Sequence, residues 1–386
     1  MKKLLKSTLK KFRARWHNDI EEKQNNLSAG IGGLYVKADD THNEIGSLHA
    51  KVDECISYIQ NLSHSQDDFV FVSWGVINWH SNFKKYFLAN NMPEKIALLK
   101  NNLDKASKDN IDLYLERMLY LPDGNLKNVY KLSKIYLDSL QTTEEKILKM
   151  EYVDNWAKYR ADFFLSEDVF SADVFLFHHG LRFTPDKIKE YIKNKDFIDG
   201  GAWIGDGTLI LNKYYDPKKI YAFELSLKNC ELFDYIMKRN GVSGDKYSLI
   251  PMGLSEKKES ILINDRGGQG VSALWIGDVE VYLTDLDSYV MEHDLNVGFI
   301  KADLEGYGLK ALRGMVKTIR NQRPVLSLSI YHNPDEFFEM KPLLEEITND
   351  INYRITLKRF DVSVDNTAEI ALFAYPAELD EGQGEA

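Results

Sequence analysis

Between Leu27 and Leu62 the apolar positions fall alternately four and three residues apart, at Leu27, Ile31, Leu34, Ala38, Thr41, Ile45, Leu48, Val52, Cys55, Ile59 and Leu62. A seven-residue repeat kept over this length predicts a left-handed coiled coil across residues 20–64. Gly30, Gly32, Gly33 and Gly46 interrupt it, and each weakens a helix by up to about 1 kcal/mol. Such a segment needs partner helices, so the pattern points to a homo-oligomer. A single amphipathic helix packed on its own domain is the alternative. Upstream, Leu4, Leu5, Leu9, Phe12 and Trp16 recur at helical spacing among Lys2, Lys3, Lys6, Lys10, Lys11, Arg13 and Arg15. That reads as a basic amphipathic helix over residues 1–18. Its residues 1–16 could lie on an anionic membrane surface; the alternative is a solvated terminus.

Residues 66–165 continue in helical period and are expected to form a helical domain. Pro93 opens one helix with Ile96, Leu98, Leu99 and Leu103 apolar. Ser107 and Asp109 open a second, with Ile111, Leu113, Leu115, Met118 and Leu119 apolar. A third is expected over 126–140. Thr142, Thr143 and Glu145 look like the N-terminal cap of another. The aromatics Trp74, Trp79, Phe83, Tyr86 and Phe87 read as core.

Near residue 196 the pattern changes to strands alternating with helices. Asp196, Phe197, Ile198 and Asp199 form a short strand ending in an acid, followed by a glycine turn and a helix through 209–214. The glycines fit D-x-G-x-x-x-G, with Asp199, Gly201 and Gly205, and not G-x-G-x-x-G. Glycines after a strand let the backbone approach a ligand closely. The next strand, 219–223, ends in Glu224, and an acid there can accept both hydroxyls of a ribose. Further strands are expected at 247–254, 281–283, 297–302, 325–331, 353–360 and 369–375, with helices over 227–240, 309–319 and 335–347. The last two strands join through a short polar loop. The implied fold is α/β, a Rossmann-like, mostly parallel seven-stranded sheet with a terminal antiparallel strand, over residues 166–377.

Composition narrows the function classes. The chain of 386 residues carries a formal net charge of −10, which argues against a nucleic-acid partner bound by the whole surface. Residues 1–15 hold five Lys and two Arg and no acid, so with those seven charges taken from −10 the remainder carries −17. Two cysteines, Cys55 and Cys230, make neither a disulfide framework nor a metal-binding CxxC pair. The expected location is cytoplasmic, at the inner face of the membrane if the basic helix binds lipid. The acidic tail 378–386 is expected to be disordered.

Several separated motifs, in order, resemble the FkbM-type family of methyltransferases that use S-adenosylmethionine (SAM). Asp199 to Thr208 (DGGAWIGDGT) resembles its cofactor loop, and Tyr221-Ala222-Phe223-Glu224 its ribose-binding strand end. Thr284-Asp285-Leu286-Asp287 resembles a "TLD" segment interrupted by Asp285. Ile300 to Gly306 (IKADLEG) is similar to the motif "IKxDxEG", and Ser329-Ile330-Tyr331-His332 with Asp335 to "xYHxxxD". Arg359 and Glu369 fall where members often carry a basic and an acidic residue. The resemblance covers about residues 165–377. It departs at Tyr307-Gly308, where members usually carry Ala-Glu.

The resemblance implies SAM as cofactor, with Asp199 holding its amino-acid end and Glu224 its ribose. Gly200, Gly201, Ala202, Trp203, Gly205, Thr208 and Leu225 complete the expected cofactor site. Methyl transfer to a hydroxyl is an in-line displacement that also needs a base. His332, with an unperturbed pKa of about 6.5, and Asp303 are the expected catalytic residues, both at C-terminal strand ends. Asp303 with Glu305 could instead hold a divalent cation, since hard cations favour carboxylate oxygens. Phe177-His178-His179-Gly180 suggests metal or acceptor contacts, or a loop covering the sheet. Arg266 to Gly270 could close over substrate or merely connect strands, and Arg359 could hold an anionic acceptor or a surface ion pair. The expected activity is O-methylation of a small-molecule or glycan substrate. The alternatives are an oligomeric SAM-binding scaffold without catalysis and a nicotinamide-dependent oxidoreductase.

Overall fold

The computed structural model describes residues 69–72, 83, 86, 91–120, 130–133, 142–166, 170–268, 270–274, 276–360, 362 and 369–380. The basic helix and the coiled coil fall in the unit Met1–Asp67 and lie outside the described residues. The fold below belongs to the unit Asp68–Ala386.

Strands β1 (Phe69–Val72) and β2 (Tyr130–Ser133) pair antiparallel. This corrects the helix expected over 126–140. The run FVFV at 69–72 is all β-branched or aromatic, and a strand edge of that kind recruits the short Tyr130–Ser133 segment, whose own helical signal is weak. The other helices of this region form as expected: α1 (Met92–Lys100), α2 (Lys105–Tyr120) and α3 (Thr143–Asp162). Thr142 and Glu145 make a reciprocal capping box, with Glu145 N donating to Thr142 Oγ1 at 3.1 Å and Thr142 N to Glu145 Oε2 at 2.8 Å. These helices do not stand apart as a domain. The Ser107 hydroxyl of α2 accepts from Leu357 N in the sheet at 2.9 Å, and α1 and α2 share one apolar cluster with the strands.

The remaining helices are α4 (Ala172–Phe175), α5 (Asp186–Ile192), α6 (Asp206–Tyr215), α7 (Leu227–Arg239), α8 (Leu286–Glu292), α9 (Gly308–Arg313), α10 (Val316–Gln322) and α11 (Pro334–Thr348). Between them run β3 (Asp196–Gly200), β4 (Lys219–Phe223), β5 (Tyr247–Ile250), β6 (Met252–Leu254), β7 (Glu259–Ile263), β8 (Val279–Thr284), β9 (Val297–Ala302), β10 (Val325–Ser329), β11 (Tyr353–Arg359) and β12 (Ile370–Pro376). The main sheet has seven strands in the order β11-β12-β10-β9-β3-β4-β5. All run parallel except β12, which lies antiparallel between β10 and β11. The strand order reverses between β3 and β9, and ligands of open α/β sheets bind outside the carboxyl ends at such a point.

Both faces of the sheet are covered, so its central strands β3 and β9 are buried throughout and mostly apolar, apart from Asp196, Asp199 and Lys301. Alternation sends Ile198 and Ile300 into one cluster and Phe197 and Phe299 into the other. Phe197 and Phe299 meet edge-on at 5.5 Å.

Two expected elements are split. The run 247–254 breaks at Pro251, which lacks a ladder donor; β5 stays in the main sheet while β6 joins β8 and β7 in a separate three-stranded sheet. The helix expected over 309–319 breaks at Gly314, where a Cβ would stand 2.0 Å from the Ser255 carbonyl oxygen. The described chain continues past residue 378, where a disordered tail was expected. Residues 377–379 form a 3₁₀ turn, and the Glu378 carboxylate accepts from Arg323 at 2.9 Å, which orders the chain past residue 378. Among the described residues no helix is long and apolar enough to cross a membrane.

Candidate functional site

A cleft of about 210 Å³ opens at the carboxyl ends of β3, β4 and β9. Its floor is the turn after β3. Gly201 N and Ala202 N both donate to the Phe223 carbonyl at 2.9 Å, and Gly205 N closes the turn on Ala202 O at 2.8 Å. Gly201 has φ +74, and a Cβ there would stand 1.8 Å from Asp303 O. Gly205 has φ +89, and a Cβ there would strike Phe233 and Met237. Only glycine satisfies both positions. Trp203, at φ 46, places its indole on the cleft, with Nε1 buried and without a hydrogen-bond partner.

Glu224 ends β4 and faces the same cleft. Its Oε2 accepts from Trp203 N at 2.8 Å, and its Oε1 accepts from Ser226 N at 2.8 Å and Asn229 Nδ2 at 3.1 Å. Burial raises its pKa to about 7 against those hydrogen bonds. Asn229 also exchanges hydrogen bonds with Gly268 N (2.9 Å) and O (3.1 Å). The glycine loop after β7 is therefore tied to Glu224, and Gly268 and Gly270 roof the cleft.

Of the expected cofactor residues, Gly201, Trp203, Glu224 and Leu225 line the cleft. Gly200, Ala202, Gly205 and Thr208 shape the turn from behind. Asp199 is placed differently from expectation. It is fully buried, it accepts from Thr208 Oγ1 at 2.7 Å, and its Oδ1 lies 3.2 Å from Lys301 Nζ. Its carboxylate ties β3 to β9 through Lys301 and to the following helix through Thr208. Lys301 also donates to Gly201 O at 2.7 Å. Burial disfavours its charge, but Asp199, Asp303 and Asp206 outweigh burial and hold its pKa at about 12. Asp206, which does line the cleft, is raised to about 7 by burial and then by Asp173.

His332 stands among carboxylates. Its Nδ1 lies 3.1 Å from Glu336 Oε2, and its Nε2 lies 2.9 Å from Asp303 Oδ1 and 3.6 Å from Glu305 Oε2. Burial would lower its pKa, but Glu305 and Asp303 push it well above the usual value. Both ring nitrogens face carboxylates, so neither is open to a hydroxyl proton. Asp303 lines the cleft, and its Oδ2 accepts from Tyr331 OH at 3.1 Å. The Tyr331 hydroxyl also stands 3.3 Å from Glu369 Oε1. Burial, then Asp173 and Asp303, push the Glu369 pKa well above the usual carboxylate range.

Sequence reasoning underrated His179. Residues His178, His179 and Gly180 all have positive φ (50°, 52° and 89°), a conformation costing about 1–3 kcal/mol for each non-glycine residue. The bend separates the two imidazoles. His178 Nδ1 meets Tyr215 OH at 2.8 Å. His179 turns to the cleft, 6% exposed, with Nε2 buried and unpartnered and Nδ1 4.0 Å from Asp173 Oδ2. Burial and then Lys301 lower its pKa, so the ring is neutral. The doublet of histidines was visible in the sequence, but the left-handed bend that sends one of them to the cleft was not. Tyr307, at the departure from the family pattern, lines the cleft as well. Arg359 does not reach it, being held in a buried ion pair with Glu145 at 2.7 Å.

Residues 199–355 match the methyltransferase FkbM domain. Among solved structures, a methyltransferase FkbM from Methylobacillus flagellatus KT is 16% identical, with a TM-score of 0.51, over 76% of this chain and 61% of that one. The chain thus spans about three fifths of that protein's length, 61%. An rRNA methylase from Streptococcus thermophilus is 14% identical over 53% of this chain and 95% of that one, with a TM-score of 0.32. No curated protein matches the chain.

Proposed function

We propose that this chain, whose residues 199–355 are a methyltransferase FkbM domain, transfers a methyl group from SAM to a hydroxyl of a sugar or glycan. The observation that carries the reading is the pairing of the Gly201 turn with Glu224 across one cleft at the switch point of the sheet. A carboxylate at that place accepts from the two hydroxyls of a ribose. The indole Nε1 of Trp203 and the backbone of the Gly201 turn supply further contacts, because a buried polar atom without a partner gains from a ligand. When bound, SAM supplies a methyl carbon whose bond to a positively charged sulfur breaks as the acceptor oxygen attacks, the bonding pair returning to sulfur.

The chain's own contribution is position and a proton acceptor. Asp173, Asp303, Glu305, Glu369 and Tyr331 line the side of the cleft beyond the turn. Carboxyl groups and a tyrosine hydroxyl exchange hydrogen bonds with many hydroxyls, which suits a neutral polyhydroxylated acceptor. His179, neutral and with Nε2 buried and without a hydrogen-bond partner, is the base that takes the proton of the attacking hydroxyl, and Asp173 stands behind Nδ1 to balance the charge that develops. His332 has no part in this step. The heptads of residues 20–64 support a homo-oligomer, and the basic residues of 1–16 support contact with an anionic membrane.

The test is transfer of labelled methyl from SAM by the full-length chain to a panel of neutral glycans, with an RNA panel alongside. Label on a glycan hydroxyl with equimolar S-adenosylhomocysteine (SAH) supports the reading. Label on RNA alone overturns the acceptor class, and saturable SAH binding with no transfer to any acceptor favours the scaffold.

A further inference from the structure

We propose that Asp303, Glu305 and His332 bind a divalent cation of the Mg²⁺/Mn²⁺ class at the acceptor end of the cleft. The three side chains come from two neighbouring strand ends. Asp303 and Glu305 follow β9, and His332 follows β10. One ligand atom from each lies within 4.8 Å of the other two. His332 Nε2 is 2.9 Å from Asp303 Oδ1 and 3.6 Å from Glu305 Oε2. Adjacent ligands of an octahedral ion with bonds of about 2.1 Å stand about 3.0 Å apart. At a tetrahedral ion with bonds of about 2.1 Å the spacing is about 3.4 Å. The 2.9 Å spacing equals that of adjacent ligands on an octahedral ion as well as that of an ion pair, and the 3.6 Å spacing leaves Glu305 a short way to close on the ion.

The surroundings aim the three atoms at one point. Glu336 is 1% exposed, and its Oε2 lies 3.1 Å from His332 Nδ1. A carboxylate on one imidazole nitrogen fixes the ring so that the other presents its lone pair, the arrangement found behind metal-bound histidines. The Glu336 carboxylate is itself held by Gly308 N at 2.6 Å, where a Cβ on Gly308 would stand 2.9 Å from Oε1. Tyr331 OH donates to Asp303 Oδ2 at 3.1 Å and leaves Oδ1 facing His332 Nε2 at 2.9 Å. Charge argues the same way. Asp303, Glu305 and Glu336 converge on a single imidazole. The neighbouring ammonium, Lys301, is already held by Asp199 and Gly201 O. A cation offsets that excess of negative charge. Two carboxylates and one imidazole suit an ion that prefers oxygen and tolerates one nitrogen.

Asp303 and Glu305 line the cleft, so the ion's remaining positions face the acceptor space. The inference deepens the proposed function and rests on it for the ion's purpose, which is to hold the acceptor hydroxyl in line. The binding site itself is testable without turnover. Full-length protein, first treated with chelator, is titrated with Mn²⁺ and followed by electron paramagnetic resonance of free Mn²⁺. Saturation at one ion per chain is expected. Asp303→Asn, Glu305→Gln and His332→Gln should each weaken it at least tenfold, while Glu292→Gln, an exposed carboxylate on another helix, leaves it unchanged. Glu305 has the most exposed side chain of the three, 37%, so Glu305→Gln decides the matter if the buried variants fail to fold. No saturable Mn²⁺ binding, or unchanged binding in Glu305→Gln, overturns the site. SAH titration of the same sample separates the two claims: Mn²⁺ binding without SAH binding keeps the site and overturns the cofactor reading, and the converse keeps the cofactor and overturns the site.

Discussion

Gly201 and Asp303 touch so closely that a methyl group on Gly201 would stand 1.8 Å from the Asp303 carbonyl oxygen. The same turn is pulled from below by Lys301, which donates to Gly201 O at 2.7 Å. The turn after β3 is therefore built against the strand end that carries Asp303 and Glu305, and the two halves of the cleft are one construction. Gly201→Ala must push the turn off β9 and also strain a left-handed backbone, at about 1–2 kcal/mol for the conformation alone. We expect SAH affinity to fall by about two orders of magnitude or more, equivalent to at least ~2.7 kcal/mol. Calorimetric titration of the folded variant checks it.

Glu224 makes cofactor binding depend on pH. Its pKa stands at about 7 because burial disfavours the charged form. The carboxylate accepts two hydrogen bonds from a ribose and the neutral acid does so poorly, so affinity should be full above pH 7 and fall as pH drops below it, by up to about tenfold per unit. Glu224→Gln should bind SAH weakly at every pH. A wild-type affinity that stays flat between pH 5.5 and 8.5 would contradict the assignment.

His179→Gln should retain SAH binding and lose about 10²-fold or more in turnover, the usual size of general-base assistance. His332→Gln should behave differently: turnover falls with cation affinity, and added Mn²⁺ restores part of it. Steady-state rates at two Mn²⁺ concentrations distinguish the two histidines. Equal loss in both, insensitive to Mn²⁺, would return the base role to His332.

Arg359 and Glu145 form an ion pair at 2.7 Å with side chains only 8% and 7% exposed. Removing one partner strands a buried charge, so Glu145→Ala, which also removes the reciprocal half of the α3 capping box, should cost about 3–5 kcal/mol. Arg359→Met with Glu145→Met should cost less than the Glu145→Ala change alone. Chemical denaturation of the three proteins reads the difference. Phe197→Ala, which empties a fully buried ring site in the central strand, should cost a similar ~3–5 kcal/mol without changing the pH profile.

Much of the sheet and the cofactor turn was legible along the chain, because both are written in local patterns. Runs of apolar residues make the strands, helical spacing makes the crossovers, and the glycines at 201 and 205 and the acid at 224 stand at fixed offsets from strand ends. The capping box at Thr142 and Glu145 is equally local. Legibility ended where a partner distant in sequence decides the outcome. Tyr130–Ser133 becomes a strand because Phe69–Val72 offers an edge. Gly314 splits a helix because the Ser255 carbonyl passes close to it, whereas the break at Pro251 is local.

The amino-acid order by itself determined the α/β alternation, the sheet's strands and the turn that meets Glu224, since each depends on residues within a few positions. Only the tertiary structure decided what the charged groups do. Asp199 looked like a ligand until Lys301, 102 positions away in numbering, was found 3.2 Å from it. His332, at a strand end in the sequence, has Asp303, Glu305 and Glu336 around its ring. His179 looked like part of a loop until a left-handed bend turned it to the cleft. The physical reason is common to all three. A side chain's chemistry is set by the charges and burial around it, and those are supplied by neighbours in space that the chain brings in from far away.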